Sequence, residues 1–221
     1  MTDTTRPQRL DAACEALPLV AILRGLRPEE AVEIAQALFD AGFRLIEIPL
    51  NSPEPFDSIA AVRKALPAEA LVGAGTVTTR ADVARLDGIG ADLVVMPHAD
   101  TEVIAAAKAA GMICIPGIAT PTEAYAALNA GADALKVFPA ELVGPAAVKA
   151  IRTILPAGTR LFPVGASRPT RWSRSEAQAS RGSALAARST SRATRSRRWP
   201  TRPRASSAPG VRAEPSERAG R

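Results

Sequence analysis

Histidine occurs once in the chain, at His98, and cysteine twice, at Cys14 and Cys114, far apart in sequence. That scarcity argues against a zinc site and against a serine or cysteine nucleophile activated by an ordinary histidine base. No stretch approaches the roughly 18 consecutive apolar residues that a membrane-spanning helix needs. Met1 to Pro18 is polar and mixed in charge, without the apolar centre of a signal peptide. A cytoplasmic protein is the expectation, with no membrane partner. No Gly-x-Gly-x-x-Gly opens the first strand-helix unit, which weakens any dinucleotide-binding reading.

Negative charge is scarce at the end of the chain. The net charge of +6 hides two halves. Residues 1–165 hold 14 Lys+Arg and 19 Asp+Glu, a mildly acidic body. Residues 166–221 hold 14 Arg, no Lys and 3 Glu. The same segment has no Ile, Phe, Tyr or Met, and only Leu185 and Val211 as branched aliphatics. Such a composition cannot bury a core and reads as disordered. Two parts are therefore expected, a folded body over 1–165 and an Arg/Ser/Ala/Pro-rich tail over 166–221.

Within the body a short apolar run, a turn and an amphipathic stretch recur. The runs are Leu19–Leu23, Leu45–Leu50, Leu71–Gly75, Leu93–Met96, Met112–Ile115, Ala134–Phe138 and Arg160–Val164. Helices are expected between them at Pro28–Ala41, Pro55–Leu66, Arg80–Asp87, Thr101–Ala110, Pro121–Ala130 and Pro145–Leu155. Several open with proline and close on Ala-Gly, the start and stop signals of helices. Strands alternating with helices imply parallel βα units. The spacing suits an α/β fold of the (β/α)8 TIM-barrel type, and a doubly wound open sheet is the alternative.

Lys136 is the single charge in the apolar run Ala134–Phe138. A buried ammonium is penalised, so the amine tends towards the neutral form, a nucleophile for carbonyl carbon. Glu47 is likewise alone inside Leu45–Leu50, where a buried carboxylate needs a partner. One reading is a structural Glu47–Lys136 ion pair. The other is an amine nucleophile with a carboxyl proton shuttle beside it, the minimum set for class I aldol chemistry. Functional groups of a barrel gather where strands end. Those ends carry Arg24, Glu47, Asn51, Thr76, Pro97, Pro116-Gly117, Lys136 and Gly165, among which Arg24 can bind a carboxylate or phosphate.

Four segments then carry a resemblance: Ala21-Ile22-Leu23-Arg24-Gly25, Ile46-Glu47-Ile48-Pro49-Leu50-Asn51-Ser52-Pro53, Gly73-Ala74-Gly75-Thr76-Val77 and Leu135-Lys136-Val137-Phe138-Pro139. In order and spacing, over about residues 17–165, the chain resembles the 2-keto-3-deoxy-6-phosphogluconate and -galactonate aldolases. The resemblance implies a (β/α)8 barrel, usually a homotrimer, needing no metal and no cofactor. It implies Lys136 as the Schiff-base residue and Glu47 as proton donor and acceptor. Arg24, Thr76 and Gly165 would hold a phosphorylated keto-deoxy sugar acid. Leu50-Asn51-Ser52 stands where the gluconate branch has Leu-Arg-Thr, and Val164 where that branch tends to have threonine. Asn51 and Val164 thus favour the galactonate branch, whose reaction is cleavage of 2-dehydro-3-deoxy-6-phosphogalactonate to pyruvate and glyceraldehyde 3-phosphate.

The resemblance stops after Gly165, where the family expects a further helix, an eighth strand and a phosphate loop. The barrel is expected to be cut short after its seventh strand. The tail reads as a frameshift product. Ser167-Arg168-Pro169-Thr170-Arg171-Trp172 can be written TCA CGC CCG ACG CGC TGG. Preceded by an A, the neighbouring frame of those bases reads Ile-Thr-Pro-Asp-Ala-Leu, a segment the family would have there. A similar recoding around Arg181–Ser189 yields a Gly-Phe-Gly-Ile-Gly-Ser loop. The rival reading is a basic arm that binds nucleic acid through phosphates. Its two tryptophans, Trp172 and Trp199, are too sparse for a stacking platform, and no nucleic-acid partner is expected.

Overall fold

The computed structural model describes residues 6–165 and 183–185. Nine strands and seven helices are present among them: α1 (Arg6–Ala16), β1 (Leu19–Ile22), α2 (Pro28–Asp40), β2 (Leu45–Pro49), α3 (Pro55–Ala65), β3 (Leu71–Gly75), α4 (Arg80–Gly88), β4 (Leu93–Val95), α5 (Thr101–Ala109), β5 (Ile113–Ile115), β6 (Gly117–Ile118), α6 (Pro121–Asn129), β7 (Leu135–Val137), α7 (Ala140–Ile154), β8 (Leu161–Pro163) and β9 (Ser183–Leu185). All pairings are parallel, in two ladders ordered β5-β4-β3-β2-β1-β9 and β6-β7-β8. The two ladders meet at Pro116, which has no N–H to give and so interrupts one strand into β5 and β6. Its carbonyl still accepts from Lys136 N at 2.8 Å. Counting β5 and β6 as one, eight strand positions go round the barrel.

The helices start where their sequences provide acceptors. Asp100 caps α5 by accepting from the N–H groups of Glu102 and Val103, and Thr79 caps α4 through Asp82 N. Thr120 and Glu123 form a capping box on α6. The Ala-Gly endings close helices as expected, with Gly111 at φ 68° and Gly131 at φ 99°, a left-handed turn that only glycine adopts without strain. Helix α7 begins earlier than the sequence suggests, at Ala140, and kinks at Gly144 (φ 72°, ψ 160°) so that Pro145 opens its second segment.

Period-two alternation sorts the strand side chains into two layers. Val20, Ile22, Leu45, Leu71, Leu93, Val95, Ile113, Ile115, Ala134, Phe162 and Val164 form the barrel interior. The intervening residues, such as Ala21, Ile46, Ile48, Val72, Val94, Leu135 and Val137, pack outwards against the helices. Helix α1, which the sequence reading left unassigned, places Leu10, Ala13 and Cys14 against the interior cluster. They lie at i, i+3 and i+4 and close the N-terminal end of the barrel. Asp92 fixes α1 there. It is 4% exposed and accepts from Arg9 and Arg63, each at 2.8 Å, and from Val72 N at 3.2 Å.

The sequence leaves the outer edge of β1 without a partner after a seventh strand. The described structure corrects this locally. Ser183–Leu185 lies parallel to β1, with Val20 opposite Ala184, and beside β8. The reason is that β1 presents a regular row of N–H and C=O groups, so even a three-residue extended segment satisfies them. Residues 166–182 and 186–221 lie outside the described residues, and the expectations of disorder and of a recoded tail fall there.

Candidate active site

Glu47 lies in the middle of β2, whose five residues are all buried. Its parity with Leu45 turns it into the barrel, where it is 2% exposed. Lys136 has the same parity as Ala134 on β7 and is 7% exposed. Both charges of the two apolar runs thus enter one interior. They form no ion pair with each other, so the structural-pair reading of the sequence does not hold. The Oε2 atom of Glu47 is buried without a hydrogen-bond partner. The Lys136 Nζ lies 4.9 Å from the centre of the Phe138 ring, a cation–π distance.

Burial governs both titrations. It pushes the Glu47 carboxyl up to about 7, opposed first by the charge of Lys136 and then by that of Arg24. Burial also lowers the Lys136 amine; Glu47 opposes that shift and Arg24 adds to it. The charge of Arg24 thus acts on both groups. Arg24 sits just past β1, at a bridge position, and is exposed. A carboxyl near 7 can donate and accept a proton at neutral pH, and a depressed lysine supplies free amine. By contrast, burial raises the Cys14 thiol to about 11 and Cys114 to about 12, so neither is a thiolate nucleophile.

The other sequence candidates fall around this pair in two groups. Thr76 follows β3 directly and holds φ 60°, a left-handed conformation that is an outlier for a β-branched residue. With Asn51 it lines a cleft of about 700 Å³ walled by the loops after β2 and β3, together with Ser52, Glu54 and Arg85. Neither Glu47 nor Lys136 is in that wall. On the opposite side Val164 is buried in the interior layer, and its N–H donates to Val137 O at 2.9 Å, next to Lys136. Gly165 follows it beneath Glu141, whose Oε2 would lie 1.8 Å from a Cβ added at Gly165.

Sequence reasoning gave no role to Gly75. A Cβ built there would lie 1.3 Å from Glu47 Oε2 and 2.5 Å from its Cδ. The signal was available as two glycines, Gly73 and Gly75, on the inward parity of β3 beside the strand that carries the carboxyl.

A parallel barrel with an amine and a carboxyl buried in its interior is the framework of a carbon–carbon lyase of the Schiff-base type. Comparison with known proteins agrees. The family model described as "KDPG and KHG aldolase" matches residues 10–183. A probable 2-dehydro-3-deoxy-6-phosphogalactonate aldolase of Rhizobium meliloti is 52% identical over 148 residues, 67% of this chain and 70% of the relative. The 2-dehydro-3-deoxy-6-phosphogalactonate aldolase of Escherichia coli is 48% identical over 153 residues, 69% of this chain and 75% of the relative. A solved structure described as native KDPGal superimposes with a TM-score of 0.73 at 44% identity, covering 76% of this chain and 82% of that one. The chain belongs to the KDPG and KHG aldolase family.

Proposed function

We propose that the chain cleaves 2-dehydro-3-deoxy-6-phosphogalactonate to pyruvate and glyceraldehyde 3-phosphate through a Schiff base on Lys136. The observation that carries this reading is the pair Glu47 and Lys136, both buried in one interior, with the Oε2 of Glu47 unpartnered. The Lys136 amine adds to the C2 carbonyl, and Glu47 passes protons as the carbinolamine loses water. The iminium then draws the electrons of the C3–C4 bond as the C4 hydroxyl gives up its proton and becomes the aldehyde. Glu47 returns a proton to C3 of the resulting enamine, and hydrolysis frees pyruvate and the amine. The Arg24 guanidinium, whose charge acts on both Glu47 and Lys136, neutralises an acidic group of the substrate. Thr76 and Gly165 contact the substrate from opposite sides. Asn51 and Val164 set the preference for the galactonate epimer, because a valine cannot hydrogen-bond a C4 hydroxyl.

Relatives named for the galactonate substrate are 48–52% identical and one named for the gluconate substrate is 35% identical, which supports the galactonate epimer. Among the described residues no helix is long and apolar enough to cross a membrane. Membership of the aldolase family favours a cytoplasmic homotrimer.

A second reading rests on the composition of 166–221, in which 14 of the residues are Arg. There the chain is a non-catalytic, incompletely folded product of a frameshifted aldolase gene, with its phosphate loop replaced. Reduction with borohydride in the presence of pyruvate tests the first reading. A lactyl-sized mass on Lys136 is the expected result, and modification elsewhere with Lys136 untouched would reject it.

A further inference from the structure

We propose that Gly75 is a positioning residue for catalysis: its missing side chain is the slot that holds the Glu47 carboxyl away from Lys136. The inference rests on the reading of Glu47 as the proton shuttle.

The two inward glycines of β3 have different reasons to be glycine. A Cβ on Gly73 would lie 1.8 Å from the Leu93 carbonyl oxygen, so the close backbone of β4 forbids a side chain there. At Gly75 no backbone interferes. The three nearest atoms are all of Glu47: Oε2 at 1.3 Å, Cδ at 2.5 Å and Oε1 at 3.1 Å. Nor does backbone conformation require glycine, because Gly75 is not among the residues of positive φ. The slot therefore serves the carboxyl. Held in it, Glu47 is buried, has no hydrogen bond at Oε2 and makes no ion pair with Lys136. The charged groups felt at Glu47 are Lys136 from β7 and Arg24 from the end of β1; β3 contributes none.

A methyl group at position 75 would evict the carboxyl from β3 into the barrel interior, which Lys136 enters from β7. An ion pair would then hold the lysine as ammonium and the carboxyl as carboxylate, which removes both the nucleophile and the acid. Displacing a catalytic group by about an ångström can lower a rate by about 10²-fold.

The test uses the full chain and pyruvate as the probe. Two measurements are made across pH on wild type, Gly75→Ala, Glu47→Asp and the double variant: deuterium exchange into the pyruvate methyl, and borohydride trapping on Lys136. Gly75→Ala is expected to fold, to exchange about 10²-fold more slowly, and to trap with a pH profile moved to higher pH. A merely structural glycine would not move that profile. The shorter acid of Glu47→Asp should relieve the overlap, so the double variant should exchange faster than Gly75→Ala alone. An unchanged profile in Gly75→Ala, or losses that simply multiply in the double variant, would overturn the proposal. If Gly75→Ala does not fold, Gly75→Ala/Glu47→Ala decides. Its folding would assign the defect to this one overlap, and its failure would reject it. Absence of trapping in wild type would instead sink the Schiff-base reading itself.

Discussion

Glu47 and Lys136 enter the same barrel interior from β2 and β7, each almost fully buried, and do not pair. Burial raises the carboxyl and lowers the amine, and the opposite charge each feels from the other only partly offsets it. Burial without a direct ion pair keeps both in their reactive forms.

Replacement of Lys136 by Met is the most direct check. The apolar isostere should keep the fold, because it removes a desolvated amine from an apolar run. It should abolish both borohydride trapping and cleavage. Residual trapping at full stoichiometry in Lys136→Met would place the Schiff base on another lysine.

Glu47→Gln should retain trapping at Lys136 and lose about 10²–10⁴-fold in deuterium exchange into pyruvate. It also has a stability signature. Burial pushes the folded carboxyl up to about 7 from the 4.5 of a free glutamate, so the folded state prefers the protonated form. That preference is fully present below about pH 4.5 and is lost as pH rises through about 7. Glu47→Gln should therefore gain stability relative to wild type on going from pH 5 to pH 8. Chemical denaturation at both values measures it, and a pH-independent difference would contradict the raised carboxyl.

Asp92→Ala should be destabilising without touching the chemistry. It would leave Arg9 and Arg63 without their buried carboxylate and free the Val72 N–H. Breaking such a buried pair costs about 3–5 kcal/mol. The midpoint of thermal unfolding should fall, while the rate per folded molecule with pyruvate stays near wild type.

Restoring the neighbouring reading frame after Gly165 should raise affinity for the phosphorylated substrate and leave exchange on unphosphorylated pyruvate little changed. Equal KM for the phosphorylated substrate in the two chains would remove the frameshift reading.

Most of the barrel is legible in the sequence because parallel strands buried on both faces are short apolar runs between turn residues. The two reactive side chains are legible for the same reason, as single charges inside such runs. Other features depend on contacts that no local pattern records. Helix α1 reads as polar, since only Leu10, Ala13 and Cys14 face the barrel and its anchor, Asp92, lies far along the chain. Pro116 reads as the end of a strand, although Gly117 resumes the ladder opposite Lys136. Ser183–Leu185 is hidden in the average composition of the tail, and the register that makes it a strand comes from β1. Gly75 in isolation signals backbone freedom, and only the neighbouring strand shows that it makes room for an acid.

The plug that α1 forms makes the barrel a vessel with one mouth. Leu10, Ala13 and Cys14 close the far end with apolar atoms. A proton on Glu47 then trades with bulk water past whatever occupies the opposite opening. While product sits there, the carboxyl is an isolated reservoir holding the proton it last received. An isotope lifted from the pyruvate methyl should accordingly return in part to the same molecule before the solvent washes it out.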